Sequence, residues 1–174
     1  MKFMQTIHTY DVNLFLWITQ RKSQRVLVRG ARYISRTGDG HLYLMLGLTL
    51  AFFGHAAESV LLKCLLLGFA IERPVYFILK NLCRRDRPQA ALNIPSFIIP
   101  SDRFSFPSGH TSAAFLVATL ASYFHPAFTP LLVAWAVSIG MARVVLGVHF
   151  PTDTLIGALM GTLLALLSLE IQLT

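Results

Sequence analysis

Two histidines, an aspartate and three cations are spaced in this chain as a phosphoryl-transfer site would need them. His149 is followed four residues later by Asp153. At that interval a carboxylate can fix one imidazole tautomer and leave the other ring nitrogen free to attack phosphorus. His110 closes the tetrapeptide Pro107-Ser108-Gly109-His110, a polar turn that runs into an apolar segment. Ser108 suits the N-cap of the helix that follows, and Gly109 leaves backbone N–H groups open to an anion at the positive helix end. His110 could then protonate the departing oxygen, a form of catalysis that typically contributes ~10²–10⁴-fold. Lys80, Arg87 and Arg143 supply charge to hold a phosphoryl group and neutralise what spreads over its equatorial oxygens. With that charge in place, no metal and no other cofactor is expected.

Taken singly, each feature has a plainer reading. A basic residue at a helix end usually snorkels to lipid headgroups, and a lone His-Asp pair is usually a structural hydrogen bond. What carries the chemistry is the order of three elements. Lys80 and Arg87-Pro88 come first, then Pro107 to His110, then Arg143, His149 and Asp153.

The elements that must position these residues are apolar helices. The chain has 174 residues, 55% hydrophobic and 13% charged, with mean hydropathy +0.60. That composition indicates an all-α, integral membrane helical bundle. Apolar stretches at 41–54, 60–82, 108–124, 128–146 and 151–171 give about five transmembrane helices. Residues 1–40 read as a basic, amphipathic N-terminal segment of one or two helices lying in the interface, and residues 41–174 as the transmembrane domain. No cleaved signal peptide is evident, so the first span is expected to serve as the targeting signal.

The net charge of +7 is not spread over a soluble face. Arg21, Lys22, Arg25, Arg29, Arg32 and Arg36 precede the first long span, and Lys80, Arg84, Arg85, Arg87 and Arg103 cluster around the central polar connection. Basic residues flanking spans fit anionic headgroups and the positive-inside rule, and no basic stripe interleaved with aromatics points to nucleic acid. Cys64 and Cys83 lack the spacing of a disulfide framework or a zinc site. Within the second span Glu72 and Arg73 are expected to pair with each other, and Gly157 with Gly161 to mark close helix packing. Two spans separate the connection at 84–108 from the turn at 147–152, so both fall on one membrane face and can build one site.

This constellation resembles the type 2 phosphatidic acid phosphatase superfamily, whose pattern is K-x6-RP, PSGH and SR-x5-H-x3-D. Here it is found at Lys80 to Pro88, at Pro107 to His110, and from Ala142-Arg143 through His149 to Asp153. The resemblance implies His149 as nucleophile, Asp153 as its orienting partner and His110 as general acid, with Lys80, Arg87, Ser108, Gly109 and Arg143 binding phosphate. It implies a membrane lipid phosphate as substrate, with undecaprenyl pyrophosphate, phosphatidylglycerophosphate and phosphatidic acid the leading candidates. Ala142 departs from the pattern by removing a hydroxyl contact worth ~1 kcal/mol, which bears on substrate tuning rather than activity. Rival readings are a lipid phosphotransferase using the same histidine, and a non-catalytic phospholipid-binding membrane protein. The expected location is a bacterial inner membrane with the site toward the cytoplasm, and the sequence leaves oligomeric state open.

Overall fold

The computed structural model describes residues 2–19, 24–100 and 102–174, so Arg21 and Lys22 of the basic tract lie outside the described residues. Among the described residues the regular elements are helices, with one isolated bridge between Asp86 and Phe104 in the connection after α4. In order they are α1 (Lys2–Thr19), α2 (Gln24–Arg36), α3 (Gly40–Phe53), α4 (Ala56–Cys83), the short α5 (Pro88–Ala91), α6 (Gly109–Phe124), α7 (Thr129–Val145) and α8 (Pro151–Leu173), with a 3-10 turn at Pro126–Phe128.

The N-terminal segment holds two helices, of which α2 is amphipathic, while α1 leaves Tyr10, Leu14 and Trp17 exposed. On α2, Val28, Ala31 and Ser35 are buried at helical spacing, and Arg25, Arg29, Arg32 and Arg36 form an exposed stripe alongside them. The buried face lies on the end of α7, where Val28 and Ala31 meet Ala142, Leu146 and Val148. Phe15 of α1 packs with Val144 and Phe150, its ring edge-on to that of Phe150. Both helices therefore press on the segment that carries His149.

Helix α4 starts four residues before the expected span, because the Glu58 carboxylate accepts the His55 N–H at 3.2 Å and holds the first turn. It runs unbroken through Pro74 to Arg84, whose φ of 46° turns the chain out of the helix into the polar connection. The expected pairing on this helix is present: both oxygens of the buried Glu72 accept from the Arg73 guanidinium.

Helix α6 is the centre of the bundle, packed against α4, α7 and α8. Leu116, Val117 and Leu120 join Leu61, Cys64 and Leu65 of α4 and Ala165 and Leu169 of α8 in one core. Two glycines of α8 let that helix approach α6 backbone to backbone. A Cβ at Gly157 would stand 2.6 Å from the Ser108 carbonyl oxygen, and one at Gly161 only 2.1 Å from that of Ser112. The pair of glycines is thus a packing device, as its spacing predicts.

Two helical stretches among the described residues are long and apolar enough to cross a membrane by themselves, Pro126–Val145 at mean hydropathy 1.7 and Pro151–Leu173 at 1.9. Helices α3 and α6 have 14 and 16 residues, and α4, with 28, carries Glu58, Lys63, Glu72, Arg73 and Lys80. The expected count of about five crossings therefore does not follow from length and composition alone.

Candidate active site

The three sequence elements meet at one end of the bundle. Lys80 leaves the last turn of α4, Arg87 ends the connection just before α5, Ser108 opens α6, Arg143 closes α7, and His149 lies in the turn between α7 and α8. Lys80, Arg87, Ser108, Arg143, His149 and Asp153 are all buried, each at most 5% exposed. A cluster of this kind is costly unless each charge is paired or waits for a partner.

His149 stands between a cation and a carboxylate. Its Nε2 lies 3.4 Å from Arg87 Nη1, and its Nδ1 faces Asp153 Oδ2 at 3.8 Å, longer than a hydrogen bond. Burial lowers the imidazole pKa, Asp153 raises it, and Arg143 and Arg87 lower it further, leaving it at about 4. The ring is therefore neutral near pH 7, with a lone pair on one nitrogen. Asp153 is held firmly: its Oδ2 accepts the Phe150 N–H at 2.8 Å and its Oδ1 accepts from Arg85 at 2.8 Å. Pro151 at the first position of α8 fixes this turn, and the helix start favours the carboxylate.

The cations converge on an acidic residue that the sequence reading did not select. Lys80 Nζ lies 3.0 Å from Asp102 Oδ2, Tyr76 donates its hydroxyl proton to the same oxygen at 2.7 Å, and Arg87 Nη2 pairs with Oδ1. Arg87 Nε also donates to the Asp102 carbonyl at 2.9 Å, and its Nη1 to the Val148 carbonyl at 2.6 Å. Burial would raise the Asp102 pKa, but the Tyr76 and Lys80 hydrogen bonds and the neighbouring charges outweigh it and hold the carboxyl at about 2. Arg143 Nη1 donates to Ser35 Oγ at 2.9 Å, whereas its buried Nε has no partner among the described residues. A phosphoryl oxygen would satisfy it.

The phosphate turn differs in detail from the N-cap expectation. Ser108 occupies the cap position, but its hydroxyl shares a 2.9 Å hydrogen bond with Thr111 Oγ1 instead of capping the backbone. Its N–H donates to the Asp153 carbonyl at 2.9 Å. The hydroxyl is thus taken up within α6 and the N–H by α8, which leaves the first-turn N–H groups of Gly109 and His110 as the candidate donors to an anion. A Cβ on Gly109 would come within 2.9 Å of the Tyr76 ring, so the turn approaches α4 as closely as a glycine permits.

His110 lies where two cavities meet. One, of about 830 Å³, runs between α3, α4 and α6 and is walled by apolar side chains such as Leu48, Leu65, Leu66 and Phe69, with Asp102 and His110 at its polar end. The other, of about 520 Å³, is lined by Arg32, Arg36, Arg143, Ser35 and Asp39 as well as His110. Beyond the motifs, sequence reasoning missed Tyr76, Arg85, Asp102, Asp11 and Asp39. Tyr76 had a signal, since it sits one turn before Lys80 on the same face of α4; the acidic residues had none in their spacing.

The family model of the PAP2 superfamily matches residues 41–174. The chain belongs to the PAP2 superfamily. It is 33% identical over 134 residues to phosphatidylglycerophosphatase B of Bacillus subtilis (strain 168), a match covering 71% of this chain and 62% of that relative's length. The structure is similar to the crystal structure of Aquifex aeolicus LpxE, with a TM-score of 0.77 and 30% identity over 91% of this chain and 93% of that one. It also shares the fold of a transmembrane PAP2 type phosphatidylglycerolphosphate phosphatase from Bacillus subtilis, at TM-score 0.75 and 24% identity, covering 95% of this chain and 86% of that chain. The fold is that of a transmembrane helical bundle of this superfamily, and the protein is a membrane protein.

Proposed function

We propose that this PAP2 protein hydrolyses the phosphate or pyrophosphate group of a membrane lipid without a metal, through a phosphohistidine. The observation that carries the reading is a buried, cation-flanked imidazole joined through Arg87 and Asp102 to an apolar cavity whose polar end holds Asp102 and His110. A lipid chain would lie between α3, α4 and α6, and its phosphate would reach Lys80, Arg87, Arg143 and the N–H groups of Gly109 and His110. His149 Nε2 attacks phosphorus as the bond to the lipid oxygen breaks, and that oxygen takes a proton from His110. Water then attacks the phosphohistidine, gives its proton back to His110, and releases phosphate and free His149. The charge that spreads over the equatorial oxygens is met by the cations, so none need come from a metal.

The relatives support a lipid phosphate as substrate, and phosphatidylglycerophosphate, undecaprenyl pyrophosphate and phosphatidic acid are the panel to test. Helix α2 brings its arginine stripe to the same end of the bundle as the site. By the positive-inside rule that end faces the cytoplasm of a bacterial inner membrane, and labelling of Arg103→Cys from outside would reverse the assignment. The decisive assay is phosphate release from the three lipids by purified, detergent-solubilised protein in EDTA, with His149→Ala alongside. Release that survives EDTA and vanishes in the variant is expected. Release restored by magnesium alone, or undiminished in His149→Ala, would overturn the reading.

A further inference from the structure

We infer that Asp39 is the positioning residue of the general acid, forming with His110 a second carboxylate-imidazole pair beside the one made by His149 and Asp153. The inference rests on the phosphatase reading above and goes beyond it, since Asp39 lies outside the residues matched by the family model. Asp39 Oδ1 is 3.1 Å from His110 Nε2, across 71 residues of sequence.

The local structure shows that this carboxylate is directed to the imidazole. Asp39 stands at the N-cap of α3 with extended backbone angles, where an aspartate ordinarily accepts hydrogen bonds from the first-turn N–H groups. It makes no such bond. The turn that bears it is fixed on α7 by two contacts. Trp135 Nε1 donates to Thr37 Oγ1 at 2.9 Å, and Gly38 lies so near Ile139 that a Cβ would stand 2.9 Å from its side chain. Three successive turn hydrogen bonds, from the N–H groups of Thr37, Gly38 and Asp39 to the carbonyls of Ile34, Ser35 and Arg36, complete the clamp. The carboxylate is thus presented to His110 by a rigid corner.

The chemical consequence concerns protons. With Asp39 accepting from Nε2–H, the transferable proton sits on Nδ1, and the carboxylate stabilises the imidazolium that must exist before transfer. As the bond between phosphorus and the lipid oxygen breaks, its electron pair goes to that oxygen, which takes the Nδ1 proton. His110, now neutral, receives a proton from the water that later attacks the phosphohistidine. The charged groups around His110 are Arg73, Arg143, Arg32 and Arg36 with the carboxylates of Asp102 and Asp39, and among the described residues it is Asp39 that hydrogen-bonds the ring.

Leaving-group dependence tests this directly. An alkyl oxygen needs the proton, whereas p-nitrophenolate departs without one. In Asp39→Asn, kcat for the lipid phosphate is expected to fall by roughly ten- to a hundredfold, with KM little changed and p-nitrophenyl phosphate hydrolysis nearly intact. His110→Ala should slow the lipid phosphate more than the aryl ester, with some loss on both because His110 also takes the proton of the attacking water, and Asp39→Glu should recover part of the loss. Equal loss on both substrates, or no loss on either, would overturn the inference while His149→Ala, inactive on both, upheld the phosphatase reading. Full activity of His149→Ala would instead sink the reading beneath it. If Asp39→Asn does not fold, the ratio of the two activities in Asp39→Glu decides: a shift toward the aryl ester supports the pair, and an unchanged ratio rejects it.

Discussion

Arg87 holds Asp102 at two points, its Nε on the backbone carbonyl and its Nη2 on the carboxylate, so the chain places its own anion among the cations proposed for phosphate. Lys80 and Tyr76 complete that grip. An incoming phosphoryl group must compete with this carboxylate, which stays ionised at any working pH because it titrates at about 2. Asp102→Asn keeps the shape and the backbone carbonyl but removes the charge. Inhibition by orthovanadate or inorganic phosphate is expected to tighten by up to about fivefold, the scale of one partly exposed ion pair. Weaker inhibition would show that the carboxylate chiefly arranges Lys80 and Arg87.

The acid limb of activity should report His149. A nucleophilic imidazole works only when neutral, so activity is lost as pH falls through its pKa, at about 4. Activity should therefore persist well below the pH at which an ordinary histidine is protonated. Replacing Arg87 by Ala removes a charge that opposes protonation, and the limb should move to higher pH, toward the unperturbed ~6.5. A profile of log(kcat/KM) against pH for the two proteins makes the comparison; a limb that stays put in Arg87→Ala would assign it to another group.

Much of this arrangement was legible in the sequence, and what was not has a common physical cause. Apolar runs located the helices to within a few residues, and the Glu72-Arg73 pairing followed from two adjacent charges at membrane depth. The motif residues were legible because each lies at a helix end with chemistry of its own. Their partners were not. Arg85 finds Asp11 across 74 residues, His110 finds Asp39 across 71, and Arg143 finds Ser35 across 108. No period or spacing encodes such contacts; they exist because α1 and α2 fold back on the end of α7. Ala142 belongs to the same account, since the position where the superfamily pattern has serine is buried here against Val28 and Ala31 of α2.

Arg85 joins that N-terminal segment to the site. Its guanidinium donates to Thr152 Oγ1 at 2.7 Å, to Asp153 Oδ1 at 2.8 Å and to Asp11, and lies 4.2 Å from the centre of the Phe150 ring. Asp11 in turn accepts the Thr152 N–H at 3.0 Å. Both carboxylates are buried, so Arg85→Ala leaves two uncompensated charges and should cost about 3 kcal/mol of stability. Thermal melts in detergent should show a clear drop, accompanied by a loss of kcat as Asp153 shifts behind His149. Asp11→Asn should reproduce most of the stability loss and less of the activity loss. Were Arg85→Ala to match the parent in both measurements, the link from α1 to the site would have no energetic weight.

The two glycines of α8 separate packing from catalysis. Either alanine variant forces α6 and α8 apart, and overpacking of this kind costs roughly 1–3 kcal/mol. At Gly161 the new methyl meets the Ser112 carbonyl, one turn into α6 and away from the phosphate turn. At Gly157 it meets the carbonyl of Ser108, whose N–H bonds to the Asp153 carbonyl. Displacing Ser108 therefore disturbs both the turn proposed to face the phosphate and the aspartate behind the proposed nucleophile. Both variants should melt at lower temperature, but Gly157→Ala should lose at least tenfold more kcat than Gly161→Ala for a similar loss of stability, since small displacements near reacting atoms cost up to ~10²-fold. Activities that simply track the melting temperatures of the two variants would mean that the contact between α6 and α8 serves the bundle and not the site.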